Sequence, residues 1–194
     1  VSRSDLPAVF IGRPVDDTPR HYVDLDNVTG GRLAAQRLVD RGCRRIGTIT
    51  GPLDLSAGMD RLQGWREVLE AAALATDAVV EGDFGTESGA AGAERLLAEH
   101  PDLDGIFAAS DVMAEAALRV VTTSGRRVPE DVAMVGFDNL GISEHTVPQL
   151  TTVHNPVIEV TLTAATMLLD LLAGAGLPLT PRIHEPRLVE GESA

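Results

Sequence analysis

The 194-residue sequence contains a single cysteine, Cys43, and few aromatic side chains: four Phe, one Trp and one Tyr, 3% of the chain. One thiol excludes an internal disulfide and any cysteine-cluster metal site. With so few rings, the core has to be built from Val, Leu, Ile and Ala. Basic residues are also short, 16 Lys and Arg against 29 Asp and Glu, for a formal net charge of -13. A surface of that sign repels nucleic-acid phosphates, and no arginine stripe compensates, so this piece is not the surface that holds DNA. The densest basic group, Arg41, Arg44 and Arg45 around Gly42, reads as the solvated rim of a helix-to-strand turn. No apolar run is long enough to span a bilayer, since alanine-rich stretches such as 89–98 are short and interrupted by charge. No signal peptide opens the chain, which begins at Val1 and reads as a fragment of a longer protein.

Catalytic patterns are missing too. No Ser/His/Asp order falls on strand ends, and there is neither a G-x-S-x-G elbow nor a Walker loop. His21, His100, His145, His154 and His184 are scattered without metal-ligand spacing, so surface roles are expected of them. The expectation is a binding module with no catalytic residue, no metal and no cofactor.

What is present is an alternation of buried strands and amphipathic helices. Strands are expected at 6–12, 21–27, 44–50, 77–83, 103–110 and 131–137. Helices are expected at 28–40, stopped by Gly42, at 60–72 with Leu62, Trp65, Val68, Leu69 and Ala72 on the core face, and at 87–99 with Thr86 as cap. Another runs to about 121 with Ser110 or Asp111 as cap. Strand–helix–strand units at this spacing make a parallel sheet flanked by helices, an α/β fold. Ligands of such sheets bind beyond the C-terminal ends of the strands. Asp83-Phe84, Ser110-Asp111 and Asp138-Asn139 directly follow strands and are expected on that one rim. After residue 140 the texture changes: 147–156 is extended and polar, a helix over 157–172 is expected to bury Leu162, Ala165, Leu168, Leu169 and Leu172, and 182–190 is strand-like. The elements before 15 and after 155 cannot bury their apolar faces alone.

The ordered runs "VDLDNVTGGRLAAQRLVDRGCRRIGTITGP", "DRLQGWREVLEAA", "GDFGTESGAAGAERLL", "LDGIFAASDVMAEAAL", "GRRVPEDVAMVGFDN" and "PQLTTVHNPV" resemble the effector-binding domain of the LacI/GalR family of bacterial transcription regulators. The resemblance implies the type I periplasmic-binding-protein fold, two α/β lobes with parallel sheets flanked by helices and a ligand held between them. On that pattern, 1–15 is the last strand of the N-lobe and the first crossover, and 16–150 is a complete C-lobe. Residues 151–180 form a crossover and a returning N-lobe helix, and 181–194 a C-terminal strand or tail. The N-lobe is then partial, and the family's helix-turn-helix and hinge helix have no counterpart in these residues. The family further implies a cytoplasmic homodimer that meets operator DNA only through that missing domain, and no membrane.

The same resemblance assigns ligand contacts. Asp138 matches the carboxylate that ends the "VGFD" strand, able to accept two hydroxyl protons. Arg61 matches the arginine of "R-L-x-G-W" and offers a fixed fork of donors. Phe84 holds the position where the family stacks a ring against ligand. Ser110 stands where many members carry Asn, and Asn155 matches a polar crossover residue. Phe10 and Arg13 end the first strand and line the other wall. Asp111 is open between helix cap and ligand contact, because both roles use the same geometry. Thr29-Gly30-Gly31 opens a helix, a place where anions bind, but the family uses it structurally. The implied ligand is a small hydroxylated effector, a sugar or sugar derivative.

Two positions depart from the family. Glu115 replaces an apolar residue on a helix that contributes to the dimer, where a carboxylate facing its own copy is costly unless a cation meets it. Asn139 stands where many members have a second Asp, removing one negative charge from the cleft. The rival reading on the same fold is a periplasmic sugar-binding protein of an ABC transporter.

Overall fold

A computed structural model describes residues 6–16 and 18–194. The chain divides into two units, residues 1–26 with 156–185 and residues 27–155 with 186–194. The smaller unit is a parallel three-stranded sheet in the order β1-β2-β8, formed by β1 (Val9–Ile11), β2 (His21–Leu25) and β8 (Arg182–His184). Helix α5 (Val157–Leu172) packs on it through Val160, Ala164 and Met167, which enclose Val23 and meet Val9 and Leu177.

The larger unit is built on a six-stranded sheet in the order β4-β3-β5-β6-β7-β9. Its strands are β3 (Ile46–Thr50), β4 (Val79–Glu81), β5 (Gly105–Ala108), β6 (Ala133–Asp138), β7 (Thr151–His154) and β9 (Arg187–Val189). All neighbours are parallel except β9, which runs antiparallel to β7. The central strands β3 and β5 are buried along their whole length, as expected of a sheet covered on both faces. Helices α1 (Asn27–Arg41) and α2 (Ser56–Ala71) pack together, as do α3 (Thr86–Glu99) and α4 (Asp111–Thr123). Consecutive strand residues point to opposite faces, and here Phe137 meets Gly30 of α1 while Gly136 faces Ala114 of α4. The α1 and α4 layers therefore cover opposite sides of β6. Trp65 is fully buried, the core role its helical spacing predicts.

Glycine sets the distance between α1 and α2. A Cβ on Gly31 would overlap the backbone carbonyl of Arg61, and one on Gly64 would overlap that of Val28. Together with Gly30 under the Phe137 ring, this gives the Thr29-Gly30-Gly31 motif a packing role. Gly42 stops α1 at φ 102°, a left-handed conformation that glycine adopts without steric cost. At the C-terminal end, Ser193 Oγ donates to Met134 O at 2.6 Å and accepts from Thr151 N at 2.8 Å, tying the starts of β6 and β7 together.

The structure redraws several expected boundaries. Residues 16–26 do not join the larger unit: β2 hydrogen-bonds to β1 and β8, with Phe10 opposite Tyr22 and Asp24 opposite Ile183. A strand's own pattern says that it pairs, not with which sheet. Residues 151–154, expected as crossover, are β7, and the 181–194 tail divides between the two sheets as β8 and β9. On α5 the stripe that meets this sheet is not the expected one. Leu162, Leu169 and Leu172 are 62%, 66% and 61% exposed, because the three strands cover only the Val160–Ala164–Met167 stripe. Thr86 is the first residue of α3 and makes no cap; Gly85 precedes it, and Asp83 Oδ1 instead accepts from Gly85 N at 2.8 Å. Arg45, expected as a solvated rim, donates to both oxygens of Asp77 at 2.6 and 3.0 Å.

Candidate functional site

The C-terminal ends of β3, β4, β5, β6 and β7 converge on one rim of the larger unit, as the parallel order requires. Arg61, in the second turn of α2, reaches it and is only 6% exposed. Its Nε donates to Asn27 Oδ1 at 2.9 Å and its Nη1 to the carbonyl of Ala109 at 2.6 Å. The guanidinium carbon lies 3.6 Å from the Phe137 ring centroid and 5.6 Å from that of Phe84. These acceptors and ring faces fix the direction of the guanidinium.

Asp138 faces this cation. Its Oδ1 lies 3.7 Å from Arg61 Nη1 and 3.5 Å from Asn155 Nδ2, both long contacts, and the side chain is 24% exposed. Burial raises its pKa above the ordinary carboxylate value, opposed by the Arg61 charge and the Asn155 hydrogen bond. The carboxylate is thus anchored loosely and keeps acceptor capacity at an accessible rim. Asn155 also binds the strand end directly, donating from its backbone N to Asp138 O at 3.1 Å.

Phe84 sits in the left-handed region at φ 67°, uncommon for a bulky residue and a mark of a position held by its surroundings. Its ring lies on Gly51, where any Cβ would overlap it. Ser110 is the cap of α4: its Oγ accepts from Met113 N at 3.2 Å and donates to Phe84 O at 3.3 Å. Asp111 is 2% exposed, and both of its oxygens accept short bonds, Oδ1 from Thr152 Oγ1 at 2.6 Å and Oδ2 from Asn139 N at 2.8 Å. Burial pushes its pKa up to about 6 despite those bonds, and the nearby Asp138 charge adds to the rise.

The structure thus brings Arg61, Phe84, Ser110, Asp111, Asp138 and Asn155 together. Phe10 and Arg13 belong to the smaller unit. There Phe10 is 43% exposed with the Arg20 guanidinium 5.2 Å from its ring. Arg13 N donates to Asp24 Oδ2 at 2.8 Å, and the residue lines a cavity of about 340 Å³ with Arg20 and Tyr22. The sequence reading missed Asn27 and Phe137, which hold Arg61 from two sides, and Thr152, which holds Asp111. Phe137 stands next to Asp138 in sequence, a signal that was available; Asn27 is 34 residues from Arg61 and carried none. Glu115 accepts a hydrogen bond from Arg119, one turn later on the same exposed helix face, at 3.3 Å. Asn139 is engaged as well, its Oδ1 accepting from Ser143 Oγ at 3.0 Å. Among the described residues there is no group of His, Cys, Asp and Glu able to hold a metal, and no helix long and apolar enough to cross a membrane.

The family described as "Periplasmic binding protein-like domain" matches residues 35–194. The HTH-type transcriptional regulator CelR of Thermobifida fusca is 45% identical over 197 aligned residues, covering 100% of this chain and 58% of CelR. The ribose operon repressor of Halalkalibacterium halodurans is 37% identical, covering 80% of this chain and 46% of that protein. The chain therefore spans about half the length of these regulators. Among solved structures, a CelR–cellobiose complex superposes with a TM-score of 0.95 at 45% identity, covering 98% of this chain and 59% of that one. On these matches and this fold, the chain belongs to the LacI/GalR family of transcriptional regulators, non-catalytic proteins, as part of their periplasmic-binding-protein-like effector domain.

Proposed function

We propose that this chain is the effector-sensing part of a LacI-type regulator, and that the rim around Asp138 binds a sugar, specifically a glucose disaccharide such as cellobiose. The observation that carries the reading is the pairing of a loosely anchored carboxylate with a fixed guanidinium, Asp138 Oδ1 and Arg61 Nη1 at 3.7 Å. Adjacent sugar hydroxyls need that combination of a two-proton acceptor and a directed donor. Phe84 supplies a ring face for the sugar's C–H surface, and Asn155 a further polar contact. Ser110 and Asp111 support these groups rather than touch ligand, since their oxygens are engaged within the protein. The choice of cellobiose is supported by the 45% identity with CelR, solved as a cellobiose complex.

On this reading the protein acts as a cytoplasmic homodimeric repressor and meets operator DNA through a helix-turn-helix outside these residues. Effector binding then shifts it between operator-competent and incompetent states. The regulator reading is favoured over a transporter's sugar-binding protein because CelR and the ribose operon repressor, the relatives described above, are regulators. The test is calorimetric titration of the complete protein with cellobiose, followed by operator binding with and without the sugar. Saturable binding that is lost in Asp138→Ala while the fold is kept is the expected result. An intact wild-type fold that binds no cellobiose rejects the cellobiose assignment.

A further inference from the structure

The corner that carries Asp138 adopts a backbone that side chains avoid. Asp138 has φ 109° and Asn139 φ 53°, two consecutive non-glycine residues at positive φ. Such geometry persists only where the surroundings over-determine it. The Asn139 side chain contributes through Ser143, at 3.0 Å. The backbone itself is held by Asp111, whose Oδ2 accepts from Asn139 N at 2.8 Å while Oδ1 accepts from Thr152 Oγ1 on β7 at 2.6 Å. The carboxylate lies against Gly136, where a Cβ would overlap its Oδ1, so β6 leaves room for it two residues before the corner.

We infer that Asp111 is a positioning residue for Asp138: it ties the first turn of α4, strand β7 and the Asn139 amide into one latch that fixes the direction of the ligand-facing carboxylate. Neither simpler role fits it. The cap of α4 is Ser110, whose Oγ takes the Met113 amide. A direct ligand contact needs exposed acceptor capacity, and Asp111 is 2% exposed with both oxygens engaged. The importance of the latch for binding rests on the reading of Asp138 as ligand hook. The existence of the latch does not.

Amide hydrogen exchange at Asn139 in the complete protein tests the inference directly, in wild type, Asp111→Asn, Asp111→Ala and Thr152→Val. Asparagine can keep both arms, its Oδ1 accepting from Asn139 N and its Nδ2 donating to Thr152 Oγ1, so Asp111→Asn should stay within a few-fold of wild type. Losing a buried charge-assisted bond in Asp111→Ala should speed Asn139 exchange by about tenfold or more, with β3 amides unchanged. Thr152→Val, which removes one arm only, should fall between them and decides the matter if Asp111→Ala does not fold. Unchanged Asn139 protection in a folded Asp111→Ala or, if that variant does not fold, in Thr152→Val overturns the inference, and so does equal loss of protection in Asp111→Asn and Asp111→Ala. Cellobiose affinity, read in parallel, should drop about tenfold in Asp111→Ala and be restored in Asp111→Asn. Failure of the wild type to bind cellobiose counts against the functional reading alone, because the exchange result still decides the latch.

Discussion

Two aspartates stand on the same sheet rim with opposite hydrogen-bonding economies. Asp111 is buried and accepts two short bonds, at 2.6 and 2.8 Å. Asp138 is partly exposed and has two long contacts, at 3.7 and 3.5 Å. Burial raises the pKa of both, yet only one keeps free acceptor capacity. The difference teaches that a carboxylate's role is set by how many of its lone pairs the protein already occupies, not by its place after a strand.

The comparison breaks most sharply at Asp138. If it accepts two ligand hydroxyls, Asp138→Ala should cost about 3 kcal/mol of binding, roughly a hundredfold in Kd by calorimetry, with little loss of melting temperature. The mirror expectation is that changes at Asp111 act through the fold.

The pH dependence of stability separates the two next. Asp111 has a folded pKa of about 6 against an ordinary value of 3.8. A raised carboxylate stabilises the fold below its unfolded pKa, and that contribution is lost as pH rises through the folded value. Between pH 4 and 6 its ionisation should therefore cost about 2 kcal/mol. Asp138 is shifted in the same direction, while solvent-facing Asp77 and Asp131 are lowered by Arg45 and Arg127 and oppose the trend. The clean quantity is thus the difference between wild type and Asp111→Asn in chemical denaturation across that range. It should shrink as the pH falls, and a constant difference would reject the buried ionisation.

Gly31→Ala sharpens the comparison from behind. The added methyl meets the Arg61 backbone, so α2 must shift, at a cost of about 1–3 kcal/mol in unfolding free energy. Cellobiose binding should weaken with it, because Arg61 is displaced from Asp138, while Asn139 amide protection should stay. The smallest effect is expected for Asn155→Ala. Its side-chain bond to Asp138 is 3.5 Å long, so stability should change by under about 1 kcal/mol. The sugar Kd should rise only a few-fold.

Much of this was legible beforehand, and the gaps have specific causes. The strand ends that carry Phe84, Ser110, Asp111 and Asp138 follow from local periodicity, and so does the helix that carries Arg61. The division of labour between Ser110 and Asp111 did not, because Asp111's partners lie 28 and 41 residues away. The stripe of α5 that meets the three-stranded sheet was not legible for a related reason. A helix with Leu, Val and Ile on several sides contains more than one apolar stripe, and only the sheet beside it selects Val160, Ala164 and Met167.

By itself the sequence determined the α/β alternation, the glycine stops, the acidic surface and the set of residues available at the rim. These depend on interactions within a few residues, and hydrophobic period and turn chemistry report them directly. Only the tertiary structure decided that β2 pairs with β1 and β8, that Phe137 and Asn27 hold Arg61, and that Asp111 is saturated while Asp138 is open. Each depends on which distant groups meet in space, and burial and hydrogen-bond saturation have no value until the chain has folded.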